Sequence, residues 1–247
     1  MGTLIKGQYT DHSALRFNGI DNYVWRNNPT YKTDMVGAID LRFRAPVLTV
    51  GFNTVLLAAL AVEDAGSNAI LLFTVRSTPL YAIAGNYLDV LYRTTNGATP
   101  DSKSGTTSLV ANTWYGVTIT SEGKIYLNGV EQSYQTWAPS FGVWTGGWFG
   151  NISGVNRNIA IGALRRAGAA SDFGRADINN IRILSSVPTV GEVTELYNSG
   201  DPRLLSPTLK AKVSYAYDME KRLYPLMGTV TETLTPVNIV SGDYITP

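Results

Sequence analysis

The 247-residue sequence has no cysteine, which excludes disulfides, thiolate metal sites and cysteine nucleophiles together. It has one histidine, His12. That excludes histidine-based metal clusters and would leave any Ser-His-Asp arrangement resting on a single residue near the N-terminus, so His12 reads as a plain surface residue. Long apolar runs are missing too. The longest, residues 55–62, is the size of a strand and well short of the roughly 20 residues of a membrane span. Residues 1–11 lack the basic start and apolar stretch of a signal peptide, so the expectation is synthesis in a cytoplasm and another route to any extracellular target. Charge of one sign is also scarce: 20 Lys+Arg stand against 19 Asp+Glu, and no net field draws the chain to nucleic acid or an anionic membrane.

What is present is a composition for many strands. The chain is 44% hydrophobic, with 14 Tyr to fill a sizeable core and 24 Gly and 11 Pro to supply turns. Its length suits one large all-β domain plus an appendage. Residues 14–25 (ALRFNGIDNYVW) read as a strand, a Gly-containing turn and a second strand. Ile39, Leu41 and Phe43 alternate with Asp40, Arg42 and Arg44, which puts apolar side chains on one face and charge on the other. Residues 55–62 and 69–76 read as central strands and 87–93 as another, while 96–107, rich in Gly, Ser and Thr, reads as a loop. Residues 113–132 (TWYGVTITSEGKIYLNGVEQ) predict a three-strand meander, because Asn128-Gly129 tolerates the positive φ of a type I′ turn. Residues 158–162 and 176–185 make two further strands.

Only one segment has helical period. Thr189 and Glu192 have capping-box spacing, Val193, Leu196 and Tyr197 share a face, and Gly200 can end the turn, which predicts a short surface helix near 190–199. From Ser206 the texture changes, so the expected division is a sandwich over 1–205 and a C-terminal arm or additional strands over 206–247.

Four landmarks, in order, carry a resemblance: ALRFNGIDNYV at 14–24, the WYGVTI…GKIYLNGVEQ meander, IAIGA at 159–163 and INNIRI…VGEVTELYNSGDP at 178–202. Together they resemble the laminin G-like branch of the concanavalin A-like lectin/glucanase superfamily. The resemblance implies an all-β jelly-roll sandwich of two antiparallel sheets, with Trp114 in its core. Such domains bind glycans, bind proteins or serve as structural modules, and they occur in bacteriophage fibres, spikes and decoration proteins. The expectation is therefore a non-catalytic virion module, an oligomer or assembly subunit, that attaches to surface glycans or acts through other virion proteins. Where the family carries Asp-Glu this chain has Asn179-Asn180. The family also makes calcium plausible, with Asp21, Asp172 and Asp177 as candidate ligands.

The carboxylates do not suit glycoside hydrolysis. Glucanases of this superfamily use a Glu-x-Asp-x-x-Glu run, whose two-residue spacing puts acids on one face of a strand. Glu63 and Asp64 are adjacent and face opposite ways, and Asp218 and Glu220 lack a third acid, so all four read as surface charges. Nor does any glycine pattern match a phosphate-cradling loop. The unusual stretch is 134–151, with six aromatics in eighteen residues: Tyr134, Trp137, Phe141, Trp144, Trp148 and Phe149. Spaced by Gly, Pro and Thr, they are expected to leave some rings exposed as a stacking platform for sugars or an anchor for a partner. Asn151 beside them can bond hydroxyls. The alternative is that Trp137 and Trp144 fold back to cap the sandwich edge.

Overall fold

The computed structural model describes residues 14–48, 53–61, 70–76, 86–95, 98–135, 142–152, 157–166, 169–199, 201–219, 223, 225–227 and 233–245. His12, Glu63, Asp64, Trp137, Phe141, Gly200 and Glu220 lie outside them.

The strands begin with β1 (Ala14–Asn18), β2 (Tyr23–Asn27), β3 (Ala38–Arg44), β4 (Asn53–Ala61), β5 (Ile70–Arg76) and β6 (Tyr87–Arg93). The middle of the chain adds β7 (Asp101–Ser104), β8 (Trp114–Thr120), β9 (Ile125–Leu127), β10 (Val130–Glu131) and β11 (Gly142–Val143). Then come β12 (Arg157–Ile161), β13 (Leu164–Arg166), β14 (Ala169–Ser171), β15 (Arg175–Leu184), helices α1 (Val190–Asn198) and α2 (Pro207–Lys212), and β16 (Val213–Tyr217), β17 (Thr235–Val237) and β18 (Tyr244–Ile245).

Two sheets form a sandwich. The first runs β10-β9-β8-β3-β15-β1-β18, and the second runs β11-β7-β6-β5-β4-β12-β2-β17. Ladders within each are antiparallel apart from β11 on β7. β15 is long enough to share one edge between two partners: its first half pairs with β1 and its second half with β16. The core lies between the sheets and includes Phe17, Val24, Leu41, Phe43, Val90 and Ile161. Neighbouring β1 and β2 belong to different sheets, so the turn between them crosses the sandwich.

Local chemistry explains the elements the sequence predicts. Asn128 and Gly129 sit at φ 52° and 80°, the pair of positive values that a type I′ turn needs between β9 and β10. At α1 the Glu192 N–H donates to Thr189 Oγ1 at 3.3 Å and the Thr189 N–H donates back to Glu192 Oε2 at 2.7 Å. Val193 and Leu196 are the buried side of that helix.

Four expectations are corrected. The span 96–107 contains a strand, β7, because Ser102 and Ser104 are small enough to be buried while their hydroxyls donate to Asp89 Oδ1 at 3.1 and 2.6 Å. A second helix, α2, is capped by the Ser206 hydroxyl and started by Pro207, whose missing N–H costs nothing at the first helical position. Trp114 is not a core residue. Tyr115, Val117 and Ile119 take the core-facing positions of β8, and Trp114, one residue earlier, faces outward with the Arg44 guanidinium 5.2 Å from its ring. Asp218, read as a surface charge, is buried.

The described residues of the C-terminal segment form additional strands of the same two sheets. β16 and β18 extend the first sheet and β17 extends the second, pairing with β15, β1 and β2.

Candidate functional site

The aromatic stretch is largely inside. Trp144 and Trp148 have no exposed surface and Phe149 is 3% exposed. A ring without accessible surface cannot stack on a sugar, so the expected platform is corrected at these three residues. Gly147 explains how the rings get in. At φ 132° it lies so close to the Tyr92 ring that any side chain would collide with it, and its N–H donates to Ser121 O at 2.9 Å. The loop therefore presses onto the end of the sandwich. Trp144 packs near Tyr92 at 6.4 Å and Trp148 on Phe149 at 4.9 Å between ring centroids.

Tyr134 is half-buried and also engaged. Lys103 Nζ stands 4.4 Å from its ring centroid, and its hydroxyl accepts from the Ile125 N–H at 3.1 Å. Burial pushes the Lys103 ammonium below its ordinary value, which fits a structural cation held against Tyr134 and the Gly123 carbonyl. Asn151 is exposed, but its Oδ1 accepts from the Trp148 N–H at 2.9 Å and so closes a turn.

The calcium candidates do not form a site. Asp177 is fully buried, with Oδ1 bonded by Arg16 at 2.7 Å and Oδ2 by Arg44 at 2.6 Å, so both oxygens already face cations. Asp21 bonds Asn18 and Asn238, and Asp172 bonds Ser171. Among the described residues no three His, Cys, Asp or Glu side chains group to hold a metal ion. These residues do not fit the ion.

A different set of residues comes together on the outward face of the second sheet. Val24, Ile159 and Ile161 point into the core, so Trp25, Asn27, Asn158 and Ala160 point away from it. Register places Trp25 opposite Ala160 on one side and opposite Thr235 on the other, with Asn158 opposite Asn27. Trp25 and Asn158 are diagonal neighbours, a relation that separates Cα atoms by about 7–8 Å. Asn27 and Thr235 are exposed, Trp25 is half-buried and Asn158 is 2% exposed. Among the described residues neither side-chain atom of Asn158 has a hydrogen-bond partner. A buried amide that bonds nothing costs about 1–3 kcal/mol, so an ordered water or a ligand hydroxyl is favoured beside its two unmet atoms.

The fifth member arrives by a hairpin. Gly162, at φ 82°, turns the chain after β12 where any side chain would strike the Phe17 ring, and β13 folds back over β4 and β12. This places the Arg165 guanidinium carbon 3.7 Å from the Trp25 ring centroid. Only an approach over the ring face allows that distance, so cation and indole are stacked. Phe173, just past the hairpin, contacts Tyr23 at 6.1 Å on the same side of β2. The arrangement offers an aromatic face, a planar cation, an amide donor and acceptor, and an exposed hydroxyl. Sequence reasoning missed it because Trp25 and Arg165 are far apart in the chain, and only the alternation of β2 marks Trp25 as opposite in facing to Val24.

No family model matches the sequence, and no curated protein matches it. Solved structures do match. The CBM40 carbohydrate-binding module of the Ruminococcus gnavus IT-sialidase, bound to α2,3 sialyllactose, aligns with a TM-score of 0.55 at 15% identity over 76% of this chain and 98% of that one. A Bacteroides ovatus protein, named as carbohydrate binding, aligns with a TM-score of 0.59 at 13% identity over 94% of this chain and 60% of that one. A leech intramolecular trans-sialidase aligns with a TM-score of 0.50 at 13% identity over 70% of this chain and 24% of that one. The fold is a concanavalin A-like jelly-roll sandwich.

Proposed function

We propose that the chain is a carbohydrate-binding module whose ligand lies on the outward face of the second sheet. The observation that carries this reading is the buried Asn158 amide, unbonded at both atoms and beside an indole. A sugar hydroxyl both donates and accepts, so it meets the amide's need, while its ring's apolar face suits Trp25. Asn27 and Thr235 form the exposed rim. The sialyllactose held by the R. gnavus module makes sialylated glycans the first ligands to try. The role is binding without catalysis. The expectation of a virus-particle role rests on the sequence resemblance alone and gains nothing from a fold shared with modules of sialidases.

Calorimetric titration with α2,3-sialyllactose and with a glycan array tests the reading. Saturable binding that is lost in Trp25→Ala and in Asn158→Ala is expected. Absence of binding across the array, or binding that survives both substitutions, would sink it.

A further inference from the structure

We infer that Arg16, Arg44 and Arg175 form an oxyanion-binding site on the outward face of the first sheet, which takes a carboxylate, sulfate or phosphate group carried by a ligand. The site is separate from the proposed glycan site and does not rest on it. Leu15, Phe17, Phe43, Ala176 and Ile178 point into the core, so Arg16, Arg44, Arg175 and Asp177 point away from it. The helices pack at the Leu184 end of β15, and this group stands at the other end, where Arg16 and Arg175 are exposed to solvent. Register sets Asp177 between Arg16 on β1 and Arg44 on β3, and sets Arg175, one pleat earlier on β15, opposite Asn18. Arg175 is thus a diagonal neighbour of Arg16, a relation that separates Cα atoms by about 7–8 Å and lets two long side chains reach one anion.

The buried Asp177 carboxylate holds two of the three forks in place. It accepts from Arg16 Nε at 2.7 Å and Nη2 at 3.2 Å, and from Arg44 Nε at 2.9 Å and Nη2 at 2.6 Å. Both guanidiniums therefore turn their Nε side to the protein, in side chains that are 46% and 28% exposed, and no hydrogen bond among the described residues engages either Nη1. The Trp114 ring, 5.2 Å from the Arg44 guanidinium carbon, fixes that side chain further. Arg175 is exposed and has no hydrogen bond or ion pair among the described residues. A single buried carboxylate needs only one cation, so the second leaves an excess. With Arg42 two residues along β3, and with Asp243, whose charge bears on Arg16, four arginines stand against two carboxylates. Guanidinium forks pair with oxyanions through parallel N–H bonds, and forks held in place beforehand lose little freedom when they do so.

Titration of isotope-labelled protein with glucuronate, glucose 6-sulfate and glucose 6-phosphate, followed on the arginine Nε–H resonances, tests the site, with neutral glucose as the control. Three variants accompany the parent. Arg175→Ala removes a donor without touching Asp177, Arg16→Lys keeps the charge and loses the fork, and Trp25→Ala disables the proposed glycan site. The expected result is saturable shifts of the Arg16 and Arg44 resonances with at least one charged sugar and none with glucose, the tightest of the three naming the group the site takes. Arg175→Ala should raise that dissociation constant about two- to fivefold, the size of one exposed charge contact, with an unchanged midpoint in urea unfolding. Arg16→Lys should raise it too, and Trp25→Ala should leave it as in the parent. No saturable shift with any charged sugar, or the same affinity in Arg175→Ala as in the parent, would overturn the site and leave Asp177 with its two arginines as a structural staple. Binding lost in Trp25→Ala and kept in Arg175→Ala would overturn it as well, by placing the anion on the other face.

Discussion

The two outward faces of the sandwich are built on opposite terms. On the first sheet, Asp40 accepts from Thr118 at 2.7 Å and from Arg182 at 3.0 Å, and Arg182 goes on to the carbonyls of Leu196 and Ser199 at the end of α1. Arg42 reaches the Tyr197 carbonyl, and Leu196, Leu205, Leu209 and Val213 seal the helices onto the sheet. On the second sheet, Asn158 is buried with both atoms unbonded and Trp25 is covered by one arginine from a short hairpin. A closed polar network holds elements together, whereas an open one waits for a molecule from outside. The difference is one of degree: Asn180 Nδ2 on the first sheet is unbonded too, but among the described residues Asn158 alone lacks a partner at both of its buried polar atoms.

Substitutions in the closed regions should show the largest effects, on stability alone. Asp40→Ala leaves the Arg182 guanidinium buried without its carboxylate and should cost about 3–5 kcal/mol in denaturant unfolding. Trp148→Ala, which empties a fully buried indole site, should cost a similar ~3–5 kcal/mol. Neither should change glycan affinity in protein that remains folded. A specific loss of affinity from Trp148→Ala would put the site back in the aromatic loop.

The open face should respond the other way. Trp25→Ala should weaken glycan binding by about tenfold or more, as read by calorimetry. Asn158→Ala should weaken binding without destabilising the unliganded protein, because it removes an unmet amide and leaves no bonded partner behind. A large stability loss at Asn158 would show that the amide is satisfied in solution and that the contrast between the faces is false.

The smallest effect concerns pH and the helical cover. Burial pushes the Glu192 carboxyl up, but bonds from Lys212 and Thr189 outweigh it and hold the group below its ordinary value. A depressed folded value means that the contribution is complete above the unfolded value and is lost as pH falls through the folded one. Lys212→Ala should remove that part of the acid dependence, at under about 1 kcal/mol for a partly exposed pair. Urea unfolding at neutral and acid pH reads it.

Much of the scaffold was legible because its signals are local. The Asn128-Gly129 turn, the Thr189/Glu192 box and the alternation of Ile39, Leu41 and Phe43 each act within a few residues. What escaped depends on distant partners. Ser102 and Ser104 read as loop because nothing nearby reveals Asp89, and the expectation of Trp114 in the core rests on the resemblance alone, whereas the pairing of β8 gives the inward position to Tyr115. The aromatic loop misled for a clear reason. Six rings in a Gly-rich connection look too many to bury, yet glycine backbones press against Tyr92 and Ser121 and let the tryptophans close the end of the sandwich. The open face needed three distant stretches to meet: β2, the run from β12 through the β13–β14 unit, and β17 lie far apart in sequence, and no spacing rule joins Trp25 to Arg165.

The most direct measurement is calorimetric titration of α2,3-sialyllactose into the parent chain, Trp25→Ala and Trp144→Phe. Saturable binding in the parent and in Trp144→Phe, with loss in Trp25→Ala, is the predicted result. Binding retained in Trp25→Ala and lost in Trp144→Phe would contradict a site on the outward face of the second sheet.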